Sequence, residues 1–341
     1  MSFKTIRTIF VFGLLVFAFG ALLVLNVNTG SVSISPEEIF RIILAGESDG
    51  SKAANVIWKI RLPRLLAAAI LGGALSVSGF LLQTFFRNPI AGPYVLGISN
   101  GAKLFVGIVM IWILKNHSAV PFSSVMAASF AGSMMVTGFV LLFAQRVKNM
   151  SALLVVGIMI GNISNAVTNF LISFADEANI ASLHSWSMGS FSAISWPNLY
   201  FASAVIFFAL ICSFLLSKPI SAFQLGENYA GSMGVNVKLF RIALISLSSL
   251  LSAAVTALSG PISFVGVAVP HLTKLLFGVS KPIIVIPGSF LLGSVICLGC
   301  DLIARTAFAP SEIAISNVTA VFGAPIVIIL MVRRHKGNHP G

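Results

Sequence analysis

Ten stretches of 18 or more mostly apolar residues follow one another along the chain, at about 9–27, 65–82, 94–114, 119–144, 152–175, 198–217, 240–258, 261–278, 283–304 and 313–332. A helix rises 1.5 Å per residue, so about 20 apolar residues cross the hydrocarbon core with every backbone group bonded internally. The run over 261–278 is the least regular, because Gly260, Pro261 and Pro270 cut it. Composition points the same way. Hydrophobic residues make up 57% and charged residues 9%, where soluble domains carry about 25% charged residues. The pattern predicts an all-α polytopic membrane protein with about ten transmembrane helices in one membrane domain over residues 1–341. The first run follows Lys4 and Arg7, and no small-residue cleavage site follows Leu25–Asn28. It therefore reads as a retained span rather than a secretory leader.

Ten crossings leave both termini on one side. That side carries Lys4, Arg7, Arg87, Arg146, Lys148, Lys218, Lys238, Arg241, Lys274, Lys281, Arg333, Arg334 and Lys336, which is 13 of the 21 basic residues. The opposite side holds Arg41, Lys52, Lys59, Arg61, Arg64, Lys115 and Arg305, five of them in one long loop over 28–64, while Lys103 falls within a span. Short loops rich in Lys and Arg stay in the cytoplasm, so both ends are expected there. Of the acids, only Glu227 lies on the inner side.

No span has an acid near its middle. Carriers coupled to protons or sodium use intramembrane carboxylates as relays or ion ligands. Their absence counts against an ion-gradient-driven secondary transporter. There is no P-loop either: GESDGSK (46–52) has the wrong spacing and no strand–helix context, so any nucleotide hydrolysis belongs to another polypeptide. Cys212, Cys297 and Cys300 lie inside apolar runs, and the single Cys-x-x-Cys has no second pair. They read as small core residues rather than metal ligands. The five histidines form no His-Glu-x-x-His. No catalytic residue and no bound metal are expected, and the chain is not read as an enzyme.

The fifth run has a polar seam. Asn162, Asn165, Asn169 and Ser173 fall within an arc of about 80° at 100° per residue. Amides do not face lipid, where each unsatisfied group costs several kcal/mol. The seam either lines a cavity or bonds a neighbouring helix.

Two interruptions stand out. RNPIAGP (87–93) occupies the inner turn between the second and third runs, where Pro89 and Pro93 forbid continued helix. Gly97 and Gly101 follow and permit close helix approach. The second interruption, SGPISFVGVAVPH (259–271), separates the seventh and eighth runs. Together with RLPRLLAAAILGGALSVSGFLLQTFFRNPIAGPYVLGISNGA (61–102), WSMGSF (186–191), SGPISFVGVAVPHLTKLL (259–276), DLIARTAFAPSEI (301–313) and TAVFGAP (319–325), these segments resemble the FecCD family, the permease subunits of type II ABC importers. The motifs occur in order along essentially the whole chain.

That resemblance implies ten spans and a homodimer, or a pair of related chains, with the pathway at the interface. It implies two ATPase subunits carrying ATP and Mg in the cytoplasm and a substrate-binding protein outside, all in the bacterial cytoplasmic membrane. The cargo would be a metal chelate, foremost an iron–siderophore complex, with haem and cobalamin as alternatives. By family match, Arg61, Arg64 and Arg305 would face outward and salt-bridge the binding protein, with Asp301 holding Arg305 as an i,i+4 pair. The inner loop over 218–240 would be the coupling loop that seats on the ATPase through Gly226, Glu227, Ala230 and Gly234. Gly226 and Gly234 would bracket a helix of about two turns, with Ala230 on its approaching surface. Asn162, Asn165, Asn169 and Ser173 would line the pathway, and Met150 and Ser151 its cytoplasmic gate. Two positions depart from the family pattern: Lys103, where a small residue is usual, and EIAIS (312–316), which lacks the usual proline and glycine at the entrance to the tenth span.

Overall fold

The computed structural model describes residues 3–30, 32–45, 50–116, 121–144, 146–147 and 149–337. Positions 46–49 of GESDGSK, His117 and His339 lie outside the described residues. Every described element is helical. In chain order they are α1 (Phe3–Asn28), α2 (Pro36–Ala45), α3 (Lys52–Val56), a π turn (Ile57–Arg61), α4 (Leu62–Phe86), α5 (Ile98–Asn116), α6 (Phe122–Ala144), α7 (Met150–Ile172), α8 (Glu177–Ser187), α9 (Trp196–Leu215), α10 (Ser217–Leu225), α11 (Glu227–Ser232), α12 (Val237–Ser259), α13 (Val265–Phe277), α14 (Pro282–Thr306) and α15 (Ile315–Gly337).

Each of the ten apolar runs contributes one of these helices. Among the described residues, seven helices are long and apolar enough to cross a membrane, with α3, the π turn and α4 counted as one. The other three are shorter apolar helices, in α5, α13 and α15. The chain is a multi-pass integral membrane protein.

Helix α4 is the axis of the fold, buried from Leu71 to Phe86 without a break. Its sequence explains why. Between lipid tails no hydrophobic force draws helices together, so close packing of small side chains does the work. Gly72 lies against Cys297 and the Gly293 carbonyl of α14. Ser78 and Ser248 each donate to the other's carbonyl, at 2.7 and 2.8 Å, and so lock α4 to α12. Cys297 and Cys300 are free and buried, as small core residues should be.

The glycine pair that follows RNPIAGP acts as expected. Gly97, at φ 74°, meets Gly161 of α7, and Gly101 meets Gly132 of α6. The second interruption differs from its sequence reading. Gly260 (φ 71°) and Phe264 (φ 62°) carry the chain through a non-helical stretch, but Pro270 lies inside α13 rather than ending it. Proline has no N–H for the carbonyl four residues back, here Gly266. That carbonyl turns toward Gly79 of α4, into the space a side chain would fill. Gln83, one turn on, donates to the Val267 carbonyl at 2.9 Å. The helix survives its proline because α4 supplies a glycine and an amide where they are needed.

Candidate functional site

The two ends of α4, about 36 Å apart at 1.5 Å per residue, carry the two groups of residues that the sequence singled out. At the first end, Arg61, Arg64 and Arg305 do come together, but they do not face outward. Arg64 donates from Nε and Nη2 to Asp301 Oδ1 at 3.1 and 3.0 Å, and from Nη1 to Glu312 Oε1 at 2.9 Å. Arg305 Nε lies 3.2 Å from Asp301 Oδ2, the expected i,i+4 pair. Its Nη2 donates to Asn26 Oδ1 at 2.6 Å and its Nη1 to the Thr29 carbonyl at 3.1 Å. Arg61 donates to the carbonyls of Val27, at 2.6 Å, and Val32.

Arg61 and Arg64 are only 5% and 8% exposed, which corrects the expectation of outward-facing arginines. The cause is twofold. Asp301 is 1% exposed, and a buried carboxylate is tolerable only when paired and hydrogen-bonded. The last carbonyls of α1 and those just beyond it have no helical partner and need donors. The exposed member of the cluster is Glu312, from the EIAIS departure. Next to it, Ile313 N bonds the Ala304 carbonyl at 2.9 Å and Ser316 Oγ donates to the Pro261 carbonyl at 2.5 Å. These bonds set the entry to α15 without the missing proline and glycine.

At the other end, the loop over 218–240 folds into α10 and α11, broken at Gly226 (φ 141°) and closed at Gly234 (φ 83°). The helix between the glycines is shorter than two turns, with six residues. Ala230 is fully buried against its own chain, so it is not the approaching surface that the sequence reading made it. The large apolar residues that point outward from these two helices and their C-terminal turn are Leu225, Tyr229 and Met233. Glu227 is engaged with Arg241 at 2.6 Å, which ties α11 to α12.

Sequence reasoning missed the anchor of this loop. Arg87 caps α4 in a left-handed conformation (φ 49°). Its guanidinium donates to the Phe223 carbonyl at 3.2 Å and lies 5.1 Å from the centre of the Phe223 ring. Phe223 in turn packs its ring 5.2 Å from Phe240 of α12. RNPIAGP thus turns the chain and also delivers the residue that holds α10 to α4. The proline signal was visible in sequence; the partner 136 positions away was not.

Between the two ends lies the polar seam on α7. Asn162, Asn169 and Ser173 are exposed on an open helix face, and Asn165 is half-buried beside them. Ser173 Oγ returns to the Asn169 carbonyl at 3.1 Å. Among the described residues, the amide side chains of Asn162, Asn165 and Asn169 make no hydrogen bond within the chain. Met150 and Ser151 begin α7, where Asn149 Oδ1 accepts from Ser151 N at 2.9 Å and caps the helix. Asn149 is a further residue that the sequence reading passed over.

Known proteins resemble this chain over most of its length. The Hemin transport system permease protein HmuU of Yersinia pestis is 34% identical over 313 residues, covering 91% of this chain and 92% of its own. The Vitamin B12 import system permease protein BtuC of Vibrio cholerae is 36% identical over 282 residues, covering 82% and 84%. A solved structure described as an inward-facing conformation of a metal-chelate type ABC transporter superposes with a TM-score of 0.83 at 27% identity, covering 95% of this chain and 99% of that one. The model of the FecCD transport family matches residues 15–333, and the chain, whose family motifs form the α4–α13 contact and both rims described above, belongs to that family.

Proposed function

We propose that this chain is the permease subunit of an ATP-binding-cassette importer in the bacterial cytoplasmic membrane, which brings a metal chelate into the cytoplasm. The observation that carries the reading is the α7 seam: three amides along a membrane-spanning helix, two on its open face and Asn165 half-buried beside them, none bonded among the described residues. Lipid is a poor neighbour for such groups, whereas a water-filled path shared with a second copy of the chain satisfies them. Asn162, Asn165, Asn169 and Ser173 line that path, and Met150 and Ser151 stand at its cytoplasmic mouth. The relatives named for haemin and vitamin B12 support an organic metal complex as cargo. An iron–siderophore complex is the cargo we favour.

Energy comes from outside the chain. Two ATPase subunits, with ATP and Mg, seat against α10 and α11, where Leu225 faces outward just before Gly226, and Tyr229 and Met233 face outward between Gly226 and Gly234. Glu227 serves by holding α11 to Arg241. A substrate-binding protein docks at the opposite rim. Arg61, Arg64 and Arg305 support that docking from beneath, by holding the carbonyls of Val27, Val32 and Thr29 and the loop of Glu312 in place. The chain makes no covalent change in its cargo.

The test is uptake into proteoliposomes that contain this chain, its ATPase and its binding protein, with and without internal ATP. ATP-dependent accumulation of a labelled chelate is expected. Accumulation that ignores ATP and follows an imposed proton or sodium gradient would overturn the proposal.

A further inference from the structure

Lys103 stands on α5, within the membrane-spanning part of the chain. Contacts on either side of it identify its face. One turn before, Asn100 Nδ2 donates to the Gly161 carbonyl of α7 at 3.2 Å. One turn after, a Cβ on Gly107 would lie 3.2 Å from Leu183 Cδ2 of α8 and 3.9 Å from Thr168 Cγ2, also of α7. At 100° per residue, Lys103 projects within about 60° of Asn100 and about 40° of Gly107. It therefore leaves α5 on the side that faces α7, level with Ser164 and Asn165.

The side chain is half-buried, yet no ion pair among the described residues neutralises it. The ion pairs among the described residues join Arg64, Arg241 and Arg305 to Asp301, Glu227 and Glu312. Lys274 in α13 is also in a span, but its ammonium lies 5.3 Å from the centre of the Phe80 ring, a cation–π partner. Among the described residues, Lys103 has neither an acid in an ion pair nor a ring in cation–π contact. A charged group at the middle of a span costs about 2.5–3.5 kcal/mol or more, and such residues mark ion and substrate paths. The groups nearest in register are the unbonded amides of the α7 seam, which can donate as well as accept.

We propose that Lys103 and Asn165, flanked by Asn162 and Asn169, form an anion-recognition site in the wall of the pathway, and that the cargo is a metal chelate of net negative charge. The ammonium supplies the charge and the amides supply further donors to carboxylate or catecholate oxygens. This rests on the reading of the chain as an importer and names the class of its cargo.

The test uses the full transporter, reconstituted with ATPase and binding protein, and four labelled probes: haemin, an anionic ferric tricatecholate, an uncharged ferric trihydroxamate and cyanocobalamin. The wild type is expected to accumulate an anionic probe with ATP. Lys103→Met should slow that uptake about tenfold or more, the worth of a hydrogen bond to a charged group. Lys103→Arg should restore it, and both variants should assemble as the wild type does in detergent. ATP-driven uptake of only the uncharged probes by the wild type would overturn the proposal. So would wild-type uptake of the anionic probe by Lys103→Met, which would mean that the ammonium merely reaches to the nearer water surface. ATP-independent behaviour with all four probes would instead overturn the importer reading on which this one stands.

Discussion

Asp301 is the residue whose loss should be felt most. Its carboxylate is 1% exposed and takes Arg64 through Nε and Nη2 at 3.1 and 3.0 Å, with Arg305 Nε at 3.2 Å on the other oxygen. Asp301→Asn removes the charge and keeps the shape. Arg64 then retains Glu312, and Arg305 retains only the neutral acceptors of Asn26 and Thr29. Breaking a buried pair costs about 3–5 kcal/mol, because a charge is left uncompensated. The surviving contacts place this variant near the lower end. Glu312→Gln removes the same charge from a side chain that is 47% exposed, where water screens the loss and about 1 kcal/mol or less is expected. Reversible unfolding of the detergent-solubilised protein by sodium dodecyl sulfate, followed by tryptophan fluorescence, would give both values. Adding Arg305→Met to Asp301→Asn should recover part of the loss, since it removes the orphaned cation. Equal losses for the two acids, or a further loss in the double variant, would refute the view that burial decides the energetics of this cluster.

Gly79→Ala should destabilise by about 1–3 kcal/mol, the scale of overpacking, because its Cβ would collide with the Gly266 carbonyl of α13. Gly20→Ala, with no atom within 4 Å of the new Cβ, should stay within about 0.5 kcal/mol in the same assay. Arg87→Ala removes both the cation over the Phe223 ring and the hydrogen bond to its carbonyl; in reconstituted transporter it should lower uptake per ATP hydrolysed severalfold, whereas Arg87→Lys should restore much of it by keeping the cation–π contact. Unchanged stoichiometry with Arg87→Ala would mean that the link transmits nothing.

The sequence carried the fold well because lipid imposes a strong rule: apolar runs of sufficient length become helices, and all ten did. It carried the close approaches at Gly97 and Gly101 for the same kind of reason, since a glycine beside a polar break has few other uses in a span. Pro270 misled because a proline's effect depends on what receives the carbonyl it frees. Gly79, 191 positions earlier in the numbering (270 − 79), could be identified as that receiver only in three dimensions. The arginines misled in a similar way. Family pattern marked Arg61, Arg64 and Arg305 as important, but whether a charge at a rim faces water or a neighbour depends on the carbonyls that lack donors nearby. Ala230 shows the complement: a small residue on a short helix suits an approaching partner and an inward packing contact equally well, and composition does not distinguish them.

What the two rims share is α4, and the packing of that helix limits how they can respond to one another. At one end Arg64 binds α4 to α14 through Asp301. At the other Arg87 binds it to α10 through Phe223. Along its length, the contacts at Gly72, Ser78 and Gly79 bring α14, α12 and α13 within backbone distance. Long side chains can absorb a displacement by changing rotamer, but glycine, alanine and serine have almost no rotamer freedom to spend. Close-packed interiors also have low compressibility and transmit strain. A push on α10 is therefore not dissipated locally. It either moves α4 with its three neighbours as one body or breaks the contacts that join the short helices to them, which are Arg87–Phe223 to α4 and both Phe223–Phe240 and Glu227–Arg241 to α12. Those three contacts are the joint between the pair of short helices and the close-packed four-helix core.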